Sequence, residues 1–189
     1  MSYRPSNHAN HEGGTMPPRR RSIALIGMRG SGKSSVGRAV ASCIKVPYID
    51  TDEMIVCSAG QSIADLFRDE GEAGFRARER EAIAEAIQLV PAVISVGGGA
   101  VLDPVNVERL RSVATIVWLT APADVLWRRI SGDPTTAASR PSLTSLPGPD
   151  EVARLLDERA SFYARAADLT VNTESMPIDQ VAQWIVENA

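Results

Sequence analysis

The chain has 189 residues, 44% hydrophobic and 23% charged, with a formal net charge of −3, which are the proportions of a globular protein with one well-buried core. No apolar run approaches the roughly 20 residues of a membrane span, and the N-terminal stretch lacks the apolar segment of a secretory signal. Arg4, Arg19, Arg20 and Arg21 against Glu12 leave −6 on residues 22–189, an acidic balance that argues against a nucleic-acid partner. Cys43 and Cys57 lack metal-ligand spacing and read as free thiols of a reducing compartment.

Residues 1–21 are rich in Pro, Asn, Gly and Arg without periodicity, so a disordered tail is expected there. Its His8 and His11 are too few to make a metal site. The apolar run Ser22–Met28 predicts a strand covered on both faces. It feeds into Gly27-Met-Arg-Gly-Ser-Gly-Lys33-Ser34, followed by a predicted helix over Lys33–Ile44. That spacing fits a phosphate-binding loop (P-loop) between a strand and a helix. Glycines let backbone N–H groups curl around phosphate oxygens, and the helix start adds partial positive charge. Gly30, Ser31, Gly32, Lys33, Ser34 and Ser35 are therefore candidate nucleotide contacts. Lys33 would reach the β/γ-phosphates and the Ser34 hydroxyl would sit on Mg²⁺. A chance glycine turn is the plain alternative, and the strand–loop–helix context argues against it.

A second strand over Val46–Ile49 ends in Asp50-Thr51-Asp52, with helix from Asp52 to about Cys57. Ser62 and Asp65 resemble a capping box opening a short helix. Gly71 and Gly74 then punctuate the chain before a long helix to about Val90. The third strand, Ala92–Val96, stops at Gly97-Gly98-Gly99. A helix over Pro104–Arg111 leads to a fourth strand, Ala114–Leu119, then a helix over Ala123–Ile130. Residues 131–149 lack periodicity and read as a lid. Helix over Glu151–Ala166, a fifth strand Leu169–Asn172 and a helix Ile178–Asn188 complete a parallel α/β sheet.

Ligands of such sheets gather at the carboxyl ends of the strands. That rule brings the glycine loop, Asp50, Asp52 and Gly97–Gly99 to one crevice, although each aspartate also suits a helix start. Arg76 shares an apolar stripe with Ile83 and Ile87, and Arg159 one with Val152, Leu155, Leu156 and Tyr163. A buried-facing arginine needs either a structural carboxylate or an anionic ligand, and both remain open from the pattern alone.

Taken in order, Gly27–Ser34, Asp50-Thr-Asp52, Phe75-Arg76 with Glu79, Gly97–Gly99, Arg140-Pro141 and Arg159 resemble the shikimate kinase family over residues 22–189. The resemblance implies a fold of the P-loop nucleoside monophosphate kinase type: three α/β/α layers, a five-stranded parallel sheet and a mobile lid. It implies ATP-dependent phosphorylation of the 3-hydroxyl of shikimate on the route to aromatic amino acids. Arg76, Arg159, Gly97, Gly98 and Gly99 would hold the substrate. Asp52 would bind its hydroxyls and take the proton, and Asp50 would support Mg²⁺ through water. Lys33 and Arg140, the latter from the lid, would neutralise the transferring phosphoryl. Arg128 or Arg129, with Pro177, would meet adenine. The implied enzyme is a cytoplasmic monomer without nucleic-acid or membrane partners. A gluconate-type kinase would keep the loop without needing both arginines, and a catalytically silent homologue would have lost Lys33, Asp52 or an arginine; all three are present.

Overall fold

The computed structural model describes residues 22–133 and 148–189. Five strands, β1 (Ser22–Ile26), β2 (Tyr48–Asp50), β3 (Val93–Ser95), β4 (Ala114–Thr120) and β5 (Leu169–Asn172), alternate with helices. The sheet order is β2-β3-β1-β4-β5 and every pairing is parallel. The helices are α1 (Lys33–Ile44), α2 (Thr51–Ala59), α3 (Ile63–Ala86), α4 (Pro104–Val113), α5 (Ala123–Ser131), α6 (Pro149–Ala166) and α7 (Ile178–Asn188). Among the described residues no helix is long and apolar enough to cross a membrane.

The period of two along β1 explains its unbroken apolar character. Ala24 and Ile26 face one side, packing with Ile94, Ile116, Ile83, Leu110, Leu126 and Tyr163. Ile23 and Leu25 face the other, with Val36 and Val40 of α1 and Val181 and Ile185 of α7. Both layers are thus closed by helices, and β1 lies at the centre with its carboxyl end opening into the glycine loop. A third, smaller cluster of Ile55, Ile63, Leu66, Phe75 and Ala82 joins α2 to α3.

Several boundaries differ from the sequence expectation. β1 stops at Ile26 because Gly27 turns with φ +141°, and a Cβ there would lie 2.3 Å from the Leu119 carbonyl oxygen. Of the two glycines expected to punctuate the helices, Gly71 does so, leaving helical geometry (φ 70°, ψ −177°) and splitting α3 into two helical halves across a kink, while Gly74 remains helical. Across that bend Arg78 clasps Glu70, Nη2 donating to Oε1 at 2.7 Å and Nε to Oε2 at 2.9 Å. α3 ends at Ala86, short of Val90. The capping box is present: Ser62 Oγ accepts from the Asp65 N–H at 3.1 Å. A 3₁₀ turn over Ala100–Leu102 was not foreseen. Of the predicted lid, Ser131 is helical and α6 begins at Pro149. The predicted tail, Arg140 and the span 134–147 lie outside the described residues.

Candidate active site

The start of α1 is shaped for an anion. Its N-cap, Gly32, adopts φ 95°, and among the described residues no side chain caps it and no acid stands in the first turn. The first amides of a helix lack partners within it and carry its positive end. Lys33 Nζ folds back over the loop, donating to the carbonyls of Gly27 (2.8 Å) and Met28 (3.1 Å). Ser31 Oγ is buried and makes no hydrogen bond among the described residues, so a donor aimed into the loop awaits an acceptor. These features fit a nucleotide's phosphates.

The loop is braced from behind. Arg129 donates to the Gly30 carbonyl at 3.3 Å and to the Thr173 carbonyl at 2.6 Å, while Thr173 Oγ1 donates to the Ser31 carbonyl at 3.1 Å. Arg129 therefore fixes the loop as well as facing the crevice of about 810 Å³ beside it. Arg128 points away, 74% exposed, 3.6 Å from Asp124. Pro177 stands at the N-cap of α7, off the crevice wall; Met176 and Ile178 on either side of it supply the apolar lining.

Asp50 does two things at once. Its Oδ1 accepts from the Asp52 N–H at 3.1 Å, capping α2, while Oδ2 accepts from Tyr48 at 2.9 Å and from Ser34 Oγ at 3.4 Å. Burial, then the Asp50 charge, push the Tyr48 hydroxyl up to about 12, so it stays a donor at neutral pH. Among the described residues no group of three or more His, Cys, Asp or Glu could hold a metal. Ser34 with Asp50 still fits Mg²⁺, which keeps several waters and takes only one or two protein oxygens beside phosphates.

Asp52 lines this crevice and also a second pocket of about 390 Å³. One side of that pocket is apolar, with Phe67, Phe75, Trp127 and Leu155; the other carries Arg76, Glu79, Arg159 and Gly97–Gly99. Phe67 and Phe75 stack with ring centroids 4.6 Å apart. Glu79 is only 1% exposed and accepts from Arg76 Nη1 at 2.9 Å. Burial pushes its carboxyl above the ordinary glutamate range, and Arg76 pulls it part of the way back. Burial also penalises the Arg76 guanidinium, but Glu79 and Glu72 together outweigh that and hold it cationic. Arg159, 9% exposed, interacts electrostatically with the same Glu79 carboxylate and hydrogen-bonds with Tyr163. Arg76 and Arg159 thus share one buried carboxylate, and two guanidiniums facing a single Glu79 leave positive charge that suits an anionic ligand.

The glycines are where these charged groups rest. A Cβ on Gly99 would lie 2.4 Å from both Arg76 terminal nitrogens, and one on Gly97 would lie 2.7 Å from Glu79 Oε1 and 3.0 Å from Asp52 Oδ1. The structure thus brings together the loop, Asp50, Asp52, Arg76, Arg159 and Gly97–Gly99 at the carboxyl ends of the strands. Sequence reasoning missed the burial of Glu79, whose position three residues after Arg76 on a helix was the available signal. It also missed Arg29, which lines both cavities. Burial lowers the Arg29 pKa, with Asp133 and Glu151 opposing that effect.

The model of the family described as shikimate kinase matches residues 29–189. The chain belongs to the shikimate kinase family. It is 38% identical over 167 residues to a shikimate kinase of Rhodopirellula baltica, covering 88% of this chain and 89% of the relative. A shikimate kinase of Symbiobacterium thermophilum is 40% identical over 168 residues, covering 87% and 94%. A solved shikimate kinase from Acinetobacter baumannii in complex with shikimate superposes with a TM-score of 0.82 at 30% identity, covering 88% of this chain and 91% of that one. As a shikimate kinase family member the chain is an ATP-using transferase on the P-loop kinase fold.

Proposed function

We propose that the protein transfers the γ-phosphoryl group of ATP to the 3-hydroxyl of shikimate, giving shikimate 3-phosphate and ADP. The observation that carries this reading is the position of Asp52, on the shared wall of a phosphate crevice and a pocket holding the half-buried and buried arginines Arg76 and Arg159 around one carboxylate, Glu79. A hydroxy acid bound there, with its carboxylate on Arg159 and Arg76, presents hydroxyls toward Asp52. Arginine forks match carboxylate geometry, which suits the ring acid better than a neutral sugar. Asp52 orients the attacking hydroxyl and accepts its proton. The loop amides and Lys33 hold the phosphates and offset charge as it develops, since phosphoryl transfer depends mainly on positioning and electrostatics. Mg²⁺, held through Ser34 and by Asp50 through water, would supply further charge neutralisation at the phosphate oxygens. Arg140, from a lid over 131–149, is assigned to the transferring group, Arg129 to the adenine side of the crevice, and Pro177 to the end of α7 next to it. The chain is read as a cytoplasmic monomer with residues 1–21 outside the kinase domain.

A coupled ADP-release assay with shikimate, quinate and gluconate side by side tests the assignment. Shikimate turnover far above the other two is expected, and a preference for gluconate overturns it. Arg159→Ala is expected to raise the shikimate KM at least about tenfold, because hydrogen bonds to charged groups contribute roughly 1.5–3 kcal/mol each. ATP affinity measured alone should barely move; equal losses for both ligands would make Arg159 structural. Gly99→Ala gives a more selective effect. Its backbone, φ −101°, suits any residue, so the fold is kept, although the shifted guanidinium weakens its pair with buried Glu79 and should lower the melting temperature. The added methyl displaces the Arg76 guanidinium, and the shikimate KM should again rise about tenfold. A normal KM in this variant would mean that Arg76 does not contact substrate.

A further inference from the structure

Tyr163 has no exposed surface, yet its hydroxyl does not point idly into the core. It donates to the carbonyl of Gly98, 65 residues away in sequence, on the floor of the substrate pocket. It also lies on α6 four residues after Arg159, which places both on one helix face. The Arg159 guanidinium lies beside the same hydroxyl. A Cβ built on Gly98 would lie 3.6 Å from the Tyr163 hydroxyl and 3.8 Å from Arg159 Nη1, so the middle glycine meets both side chains. The ring itself is held by Trp118, with centroids 5.6 Å apart and planes at 21°.

We propose that Tyr163 is a positioning residue for acid recognition: its hydroxyl sets the spacing between the Arg159 guanidinium and the Gly97–Gly99 turn. This rests on the proposed binding of shikimate through its carboxylate. The turn comes from the end of β3 and the arginine from α6, and the Tyr163 hydroxyl touches both, donating to Gly98 and meeting the Arg159 guanidinium. Burial raises its pKa to about 12, so the hydroxyl keeps its proton, and its donor role, at any pH where the enzyme is assayed. On the far side of the turn, Asn106 Nδ2 donates to the Ala100 carbonyl at 3.1 Å. The turn is therefore pinned at both ends, but only the Tyr163 end also meets the cation.

Tyr163→Phe removes the hydroxyl while keeping the ring, its volume and its stack on Trp118. The full-length variant should be assayed with shikimate and with shikimate methyl ester, in which the carboxylate charge is absent. The wild-type protein is assayed alongside; wild-type turnover of shikimate secures the substrate assignment independently of the variant. The expected result is a shikimate KM raised about tenfold with kcat within about twofold, an unchanged ATP KM, and a preference for acid over ester reduced about tenfold. Loss of acid and ester turnover in equal proportion would overturn the proposal, as would an unchanged shikimate KM. A Tyr163→Phe protein that fails to fold would also overturn it, since the hydroxyl would then be structural and not a positioning group.

Discussion

Lys33→Met should reduce turnover by roughly 10²–10³-fold or more, the scale on which a single charge-stabilising donor acts in a preorganised site. The ammonium already sits in the mouth of the loop, held by the Gly27 and Met28 carbonyls. A phosphate arriving there competes for the same donor, and the ammonium's charge is available where negative charge gathers. Methionine keeps the length of the stem and removes the charge. The variant should be checked by circular dichroism, because the two carbonyls lose their donor at the same time. Near-normal turnover in a folded Lys33→Met protein would end the assignment of this loop to phosphate transfer.

Asp52→Asn is expected to lower kcat at least about a hundredfold, within the range for a general base. The cap of α2 does not use the Asp52 carboxylate: Asp50 is the acceptor and the Asp52 backbone N–H is the donor. Helix α2 should therefore survive, and the ATP KM should stay close to wild type. Asparagine retains size and some hydrogen bonding, so shikimate affinity should suffer less than rate. If purified Asp52→Asn keeps most of its kcat, positioning alone drives the reaction and no side-chain base is needed at this place.

The site was legible wherever chemistry is written into adjacent residues. The glycine loop and Asp50-Thr51-Asp52 each occupy a strand end, and the parallel sheet does the rest by bringing strand ends together. For Asp50 the two readings of the pattern turn out to be compatible, since one carboxylate oxygen caps α2 while the other accepts from Ser34. The two arginines, alike in sequence, part company in the structure. Arg76 makes a direct salt bridge to Glu79, while Arg159 feels that carboxylate only through space and hydrogen-bonds with Tyr163 instead. What stayed hidden depends on contacts distant in sequence. Nothing near Tyr163 announces Gly98, and nothing near Arg129 announces Thr173. Element ends moved for local reasons that only geometry reveals, such as Gly27 leaving β1 against the Leu119 carbonyl; of the two glycines in α3, only Gly71 breaks it.

The walls of the substrate pocket come from two hydrophobic clusters of unequal size, the smaller of which spans the bend at Gly71. Phe67 and Phe75 belong with the small cluster of Ile55, Ile63 and Leu66, while Trp127 and Val152 stand on the larger core of the sheet. Small cooperative units open at lower free energy than the whole fold. Warming is therefore expected to loosen the pocket from the side of the smaller cluster first, ahead of the sheet and the glycine loop. Turnover should then be lost on warming before the sheet itself melts, which activity and far-UV circular dichroism followed on the same sample would show.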